Sequence, residues 1–233
     1  MEVQAMTRQI MSKGQCHLCG GTFSKSAMTR HLKSCKQKER DSKTSSPPGR
    51  SPRKTKIFHL VVEGRYSSDY WMHLEVPADA ALEDLDSFLR RIWLECCGHM
   101  SAFTIEGKTY SVAPMADFDD ENMKARLDEV LSPGMKFHYE YDFGSTTHLA
   151  MKVVSQEQKQ FKGELITVLA MNEPPSIPCM SCGKMATQLC SECHWSGEGW
   201  LCDKCASEHK CGEEMFLPVV NSPRVGVCGY TGQ

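Results

Sequence analysis

The sequence predicts an α+β protein in which a central mixed sheet packs on one long helix in a β-grasp-like arrangement, with small cysteine-rich modules at both ends. Three observations predict it. Apolar side chains alternate at 58–63 and 71–76; Leu82, Leu85, Leu89, Ile92 and Cys96 recur at steps of three and four; and eleven of the thirteen cysteines fall in two terminal clusters. A period of two puts successive side chains on opposite faces of a strand, whereas steps of three and four put them on one face of a helix.

Phe58, Leu60 and Val62 alternate with His59, Val61 and Glu63, and Met72, Leu74 and Val76 with Trp71, His73 and Glu75, so two strands are expected. In "DAALEDLDSFLRRIWLECCG", residues 79–98, Asp79 stands where a helix cap would and Gly98 where a helix would end, which predicts a single amphipathic helix. A short strand at Phe103–Glu106 and a turn at Gly107 follow, then "DFDDEN" leading into a short helix near 120–131, and a turn at Pro133-Gly134. Met135, Phe137, Tyr139, Tyr141 and Phe143 then line one strand face, with Lys136, His138, Glu140 and Asp142 on the other. Strands are also expected at Thr147–Val154 and Leu165–Ala170, and two short ones around the turn Asn221-Ser222-Pro223-Arg224.

Asp142-Phe143-Gly144 spells the magnesium-binding triplet of a protein kinase, but the chain lacks the glycine-rich loop, strand lysine and catalytic loop that phosphoryl transfer needs. The triplet is read instead as structural: Phe143 continuing the core face, Asp142 pointing away, Gly144 allowing a turn. His99, His138, His148 and the carboxylates at 117, 119, 120 and 121 include metal-hydrolase residue types, yet their spacing defines no site. The expected catalytic set is therefore empty.

"YEYDFGSTTHLAMKV", "WMHLEVPADAALEDLDSFLRRI" and "HMSAFTIEGKTY" together resemble the plasmid-pRi ORF-three-like domain family over about residues 57–155. Many members follow Tyr141–Gly144 with an acidic residue, a tryptophan and a histidine, where this chain has Ser145, Thr147 and Leu149. The resemblance implies no settled activity to carry over.

In "CHLCGGTFSKSAMTRHLKSC", Cys16-x2-Cys19 forms a tight turn with two thiols, and His31 and Cys35, four apart, share a helix face; Phe23 and Met28 supply a small core. Four such ligands suit a tetrahedral zinc ion in a three-Cys-one-His variant of the ββα finger. About twenty residues cannot bury enough apolar surface to fold alone, so the metal is part of the fold. His17 has the wrong parity for the site and is assigned to the surface.

Residues 1–56 carry a net charge of +10 and the remainder −12, and the 36–56 segment holds eight cations, two anions and three prolines. That segment is read as a basic flexible linker. Finger and linker together make residues 1–56 a candidate contact for nucleic-acid phosphates.

The C-terminal cluster reads Cys179-x2-Cys182-x7-Cys190-x2-Cys193-x8-Cys202-x2-Cys205-x3-His209-x-Cys211. Eight ligands make two closed sites with no vacancy for a reactive water. The spacing favours an interleaved, B-box-like cross-brace, with Cys179, Cys182, Cys202 and Cys205 at one ion and Cys190, Cys193, His209 and Cys211 at the other. Sequential pairing is the alternative, with His194 and Cys228 as spare donors. A RING ligase places its second pair and its histidine differently. Cys96 and Cys97 are read as buried thiols.

The domains expected are a zinc finger at 1–35, the linker at 36–56, the α+β domain at 57–172 and a binuclear zinc module at 173–233, holding three zinc ions. No run of about 20 apolar residues and no signal-peptide stretch at the start point to a cytoplasmic protein without membrane contact. The function expected is a non-enzymatic interaction or adaptor protein, contacting nucleic acid through residues 1–56 and a protein partner through the C-terminal module. The alternative is a hydrolase with a site on the central domain.

Overall fold

The computed structural model describes residues 12–43, 54–114, 120–160 and 164–232. It begins with a hairpin, β1 (Lys13–Cys16) and β2 (Thr22–Ser24), running into α1 (Lys25–Lys43). Next come β3 (Lys54–Gly64), β4 (Trp71–Pro77) and α2 (Leu82–Leu89), which continues as a π-helical turn over Arg90–Leu94. Then follow β5 (Ser101–Ile105), β6 (Lys108–Ser111), β7 (Glu121–Asn122), α3 (Leu127–Val130), β8 (Lys136–Tyr141), β9 (Thr147–Gln160) and β10 (Thr167–Asn172). The C-terminal part holds β11 (Gln188–Cys190), α4 (Ser191–His194), β12 (Trp200–Leu201), α5 (Asp203–Ser207) and β13 (Phe216–Pro218).

The class is α+β, as expected. Ten strands form one sheet in the order β2-β1-β10-β4-β3-β9-β8-β5-β6-β7, antiparallel except for β6 against β7. One face packs on α2 and the π-helical turn: Leu60, Met72, Leu74, Tyr139 and Leu149 meet Leu82, Leu85, Leu89 and Trp93, all fully buried. The segments 1–11, 44–53, 115–119 and 161–163 lie outside the described residues, and with them the middle of the predicted basic linker and Asp117 and Asp119 of "DFDDEN".

The N-terminal hairpin is a continuation of the sheet. β1 pairs with β10 through Gly14 opposite Asn172, Gln15 opposite Met171 and Cys16 opposite Ala170. A side chain at position 14 would put its Cβ 2.3 Å from the Met171 carbonyl oxygen and 2.5 Å from the Trp71 ring, so the close approach requires glycine. α1 then lies across the sheet's second face, where Met28 and Leu32 bury Trp71, Leu169 and Ala170. This is why β4 is buried along its whole length, on both faces, although its sequence alternates. α1 itself extends through Lys43, so the first eight residues of the basic 36–56 segment are helical.

Polar groups trapped between α1 and the sheet are paired. Lys36, on α1, lies 3.0 Å from Glu75, which Lys159 also contacts. Burial alone would raise the Glu75 carboxyl, but the two ammonium groups outweigh it and lower it. His59 Nε2 and His73 Nδ1 are hydrogen-bonded at 2.9 Å.

Several sequence expectations are corrected. The helix begins at Leu82, not Asp79: its first N–H groups donate to the carbonyls of Ala125 and Met123, and the Ala81 N–H donates to Asp84 Oδ2 at 2.9 Å, so no cap from Asp79 is needed. It ends at Leu94, where the backbone turns extended at Glu95, four residues short of the predicted end. The 120–131 helix reduces to the single turn of α3, preceded by the short β7. Strand β8 stops at Tyr141; Asp142 takes φ = 65°, which reverses the expected placement and leaves Phe143 54% exposed and Asp142 buried. After β13 the chain makes turns in place of a second strand.

The histidine pair makes a pH prediction. Burial first, then the neighbouring Lys36, pushes the His59 imidazole down to about 2 and that of His73 to about 4. Both are depressed, so below pH 6.5 the unfolded chain binds protons that the folded chain refuses, and stability falls as pH drops from there toward about 4. Replacing His73 with Gln should remove roughly 1–2 kcal/mol of the stability lost between pH 6.5 and 5, read from urea midpoints at the two pH values. Equal losses in variant and parent would refute it.

Candidate metal centres

All thirteen cysteines are free thiols, and twelve of the Cys and His side chains singled out by spacing gather into three groups of four. Within each group the four ligand atoms lie within 4.8 Å of one another, so each can hold a metal ion. A tetrahedral zinc ion, with Zn–S of about 2.3 Å and Zn–N of about 2.0 Å, would set sulfur–sulfur edges of about 3.8 Å and sulfur–nitrogen edges of about 3.6 Å. The edges in the structure sit near those values.

Cys16, Cys19, His31 and Cys35 form the first group. Cys16 ends β1, and its N–H and C=O close the turn on Gly21 and Gly20, at 2.9 and 2.7 Å, which swings Cys19 back toward it. His31 and Cys35 stand one turn apart on α1. The Cys16–Cys35 sulfurs are 4.0 Å apart and Cys19 Sγ is 3.3 Å from His31 Nε2, with the His31 ring stacked on Phe23 at 3.8 Å. Burial, then Cys19 and Cys16, pushes the Cys35 thiol up to about 12; a divalent ion at the centre would offset that crowding. His17 is exposed, as expected.

The C-terminal groups are interleaved: Cys179, Cys182, Cys202 and Cys205 in one, Cys190, Cys193, His209 and Cys211 in the other. The small sheet β12-β11-β13 explains the order, because β11 ends on Cys190 while its neighbour β12 leads directly into Cys202. Adjacent strands thus deliver ligands to different centres. Cys182 and Cys202 sulfurs are 3.6 Å apart, Cys193 and Cys211 sulfurs 3.8 Å, and Cys193 Sγ is 3.3 Å from His209 Nε2. Burial alone would raise the Cys179 thiol, but backbone N–H groups of Cys202, Cys182 and Ser181 lower it to about 6. His194 lies outside both groups.

Sequence reasoning missed a fourth group: Cys96, Cys97, His99 and Cys228. The first two are not buried thiols: Cys97 is exposed and Cys96 partly so. Cys228 lies 131 residues from Cys97, so no local spacing could announce the full set.

Next to this group the tail enters the central domain. Arg224, fully buried, donates from Nη2 to Asp142 Oδ2 at 2.7 Å and from Nη1 to Thr147 Oγ1 at 3.0 Å and the Ser145 carbonyl at 3.3 Å, and stands 4.8 Å over the Tyr141 ring. Asp142 Oδ1 accepts the N–H groups of Gly144 and Ser145. Burial alone would raise the Asp142 carboxyl, but Arg224 and those N–H groups hold it below the usual range. The carboxylate of the kinase-like triplet is therefore committed to an internal ion pair. His99 Nε2 is 3.5 Å from the same carboxylate, while His148 Nδ1 lies 3.1 Å from Glu140 Oε1, its partner residue across β8 and β9. His138 joins neither.

The centre of the chain is thus a mixed sheet between α2 and α1, with Tyr-Asp-Phe-Gly where β8 ends. The chain belongs to the family described as Plasmid pRiA4b ORF-3-like protein, whose family model matches residues 30–176. The match reaches further at both ends than the 57–155 stretch, taking in most of α1 and all of β10. Among solved structures, a protein of unknown function from Methanosarcina mazei Go1 is similar, with 18% identity and a TM-score of 0.45, over 51% of this chain and 70% of that one. No curated protein matches the chain. Just past Asp142, Ser145 and Thr147 receive Arg224 and Leu149 is fully buried.

Replacing Arg224 with Met strips Asp142 of its guanidinium and should cost about 3–5 kcal/mol in urea unfolding, the range for a broken buried pair. Adding Asp142→Asn to that variant should recover part of the loss, and strict additivity would show the two are not coupled.

Proposed function

We propose that the protein is a zinc-dependent, non-enzymatic interaction protein, its zinc ions structural, its basic front contacting nucleic-acid phosphates and its C-terminal module docking a protein. The observation that carries this reading is the gathering of four donors, most of them thiols, in each predicted group. Four protein ligands around one ion leave no open position for water or substrate, which suits scaffolding and not hydrolysis.

Support for a nucleic-acid contact is electrostatic. Lys13, Arg30 and Lys33 are exposed on the finger and continue into the basic segment, whereas Lys25 and Lys36 are held by Glu63 and Glu75. Support for a protein contact comes from large apolar side chains exposed on the zinc module: Trp195 at 75%, Met185 at 63% and Met180 at 56%. Exposed aromatic and methionine side chains are enriched at docking surfaces. No helix among the described residues is long and apolar enough to cross a membrane. A cytoplasmic site of action fits cysteines held by zinc, since an oxidising compartment favours pairing them as disulfides.

The finger shares the central sheet, so deleting residues 1–56 would expose Trp71 and Leu169; the test must use the full chain. Purified protein should carry at least three tightly held equivalents of zinc by elemental analysis, and metal-free folded protein would refute the zinc reading. With Arg30, Lys33, Arg50 and Arg53 changed to alanine, affinity for a DNA duplex of about 20 base pairs and for a single-stranded RNA should fall. The dependence of log affinity on log salt should flatten by up to about one unit for each phosphate no longer neutralised. Equal binding by both proteins, or none by either, would overturn the nucleic-acid role.

A further inference from the structure

The group formed by Cys96, Cys97, His99 and Cys228 is absorbed by neither the finger nor the cross-brace. It rests on the same reading of Cys/His sets as structural zinc sites, and extends it. Cys97 Sγ is 3.6 Å from Cys96 Sγ, 3.8 Å from Cys228 Sγ and 3.0 Å from His99 Nε2, and His99 Nε2 is 3.2 Å from Cys228 Sγ. The sulfur–sulfur separations match the edges of a tetrahedron around a zinc ion, the sulfur–nitrogen ones are somewhat shorter, and all four ligand atoms lie within 4.8 Å of one another. The donors are three thiols and one imidazole, the same set as in the finger and in the second C-terminal group, and soft enough to select zinc over hard cations.

The backbone is shaped to bring these donors together. The π-helical turn ends at Leu94, and Glu95 then accepts the Gly98 N–H at 2.6 Å while taking Arg90 Nη1 at 2.9 Å and the Tyr141 hydroxyl at 3.0 Å. Gly98, at φ = 78°, turns the chain so that His99 faces back over Cys97. On the other side Cys228 itself adopts φ = 51°, a left-handed conformation disfavoured for a residue with a Cβ, and its thiol lies against His99 and Cys97. Arg224 Nη2 is 3.3 Å from Cys96 Sγ. Three thiolates on one divalent ion leave a net charge of −1, and this guanidinium, shared with Asp142, offsets part of it.

We propose that Cys96, Cys97, His99 and Cys228 bind a fourth zinc ion that fastens the C-terminal tail to the central domain. On binding, the ion displaces the three thiol protons to solvent and takes the lone pair of His99 Nε2. Coordination closes a loop of 129 residues between His99 and Cys228, so the constraint acts on the docking of the tail and not on either module's own fold.

Native mass spectrometry and elemental analysis of the full chain should find four zinc equivalents, falling to three in Cys228→Ser and in Cys97→Ser with unchanged circular dichroism. Reconstitution with cadmium-113 should give four resonances in the unaltered chain, which tests the site even if a variant fails to fold. Three equivalents and three resonances in the unaltered chain would overturn the proposal while leaving the structural-zinc reading standing; a Cys97–Cys228 disulfide in freshly purified protein would also overturn it. Absence of zinc altogether would instead defeat the reading on which it rests.

Discussion

The backbone ladder between β1 and β10 is the contact on which the arrangement of the molecule depends. It joins a cysteine-rich hairpin to the sheet by main-chain hydrogen bonds, independent of side-chain identity except at Gly14, where the strand passes against Trp71 and the Met171 carbonyl. With the hairpin so placed, α1 must fall across the sheet's second face. That explains why His59, His73 and Glu75, which alternate as solvent-facing residues would, are buried. The sheet is thus a middle layer, with α2 on one side and α1 on the other.

The other end of the chain is bound in a different manner. Ser222 donates its hydroxyl to the Trp93 carbonyl at 2.6 Å, Asn221 and Asn172 are joined at 2.6 Å, and Arg224 enters fully buried between Asp142, Thr147 and Tyr141. Leu189 and Val225 belong to the main core. Both cysteine-rich modules therefore lean on the central domain, which supplies burial that such short segments cannot supply for themselves.

Much of this was legible in local pattern. The β3 and β4 alternation, the Leu82, Leu85 and Leu89 stripe and the Phe137, Tyr139 and Tyr141 face all reflect periods of two or three to four that neighbouring residues define. The C-x2-C pairs are equally local, and the geometry gathers the cysteines and histidines that spacing singled out. What was illegible depends on partners distant in sequence. Asp79 is not the cap because the carbonyls of Ala125 and Met123, far along the chain from α2's first donors, fill that role. Phe143 leaves the core because a positive φ at Asp142 breaks the alternation, and Asp142 tolerates burial because Arg224 arrives from 82 residues away. The grouping of Cys96, Cys97 and His99 with Cys228 has the same origin.

The order of the strands also determines how the sheet ends. Among the described residues, one outermost strand, β2, has three residues and the other, β7, has two. A long rim of open amide and carbonyl groups is a template on which another chain can add a strand and begin a fibril. By placing the β1–β2 hairpin beyond β10, the chain covers a six-residue rim with a three-residue one. The short hairpin thereby leaves little open rim at that end of the sheet.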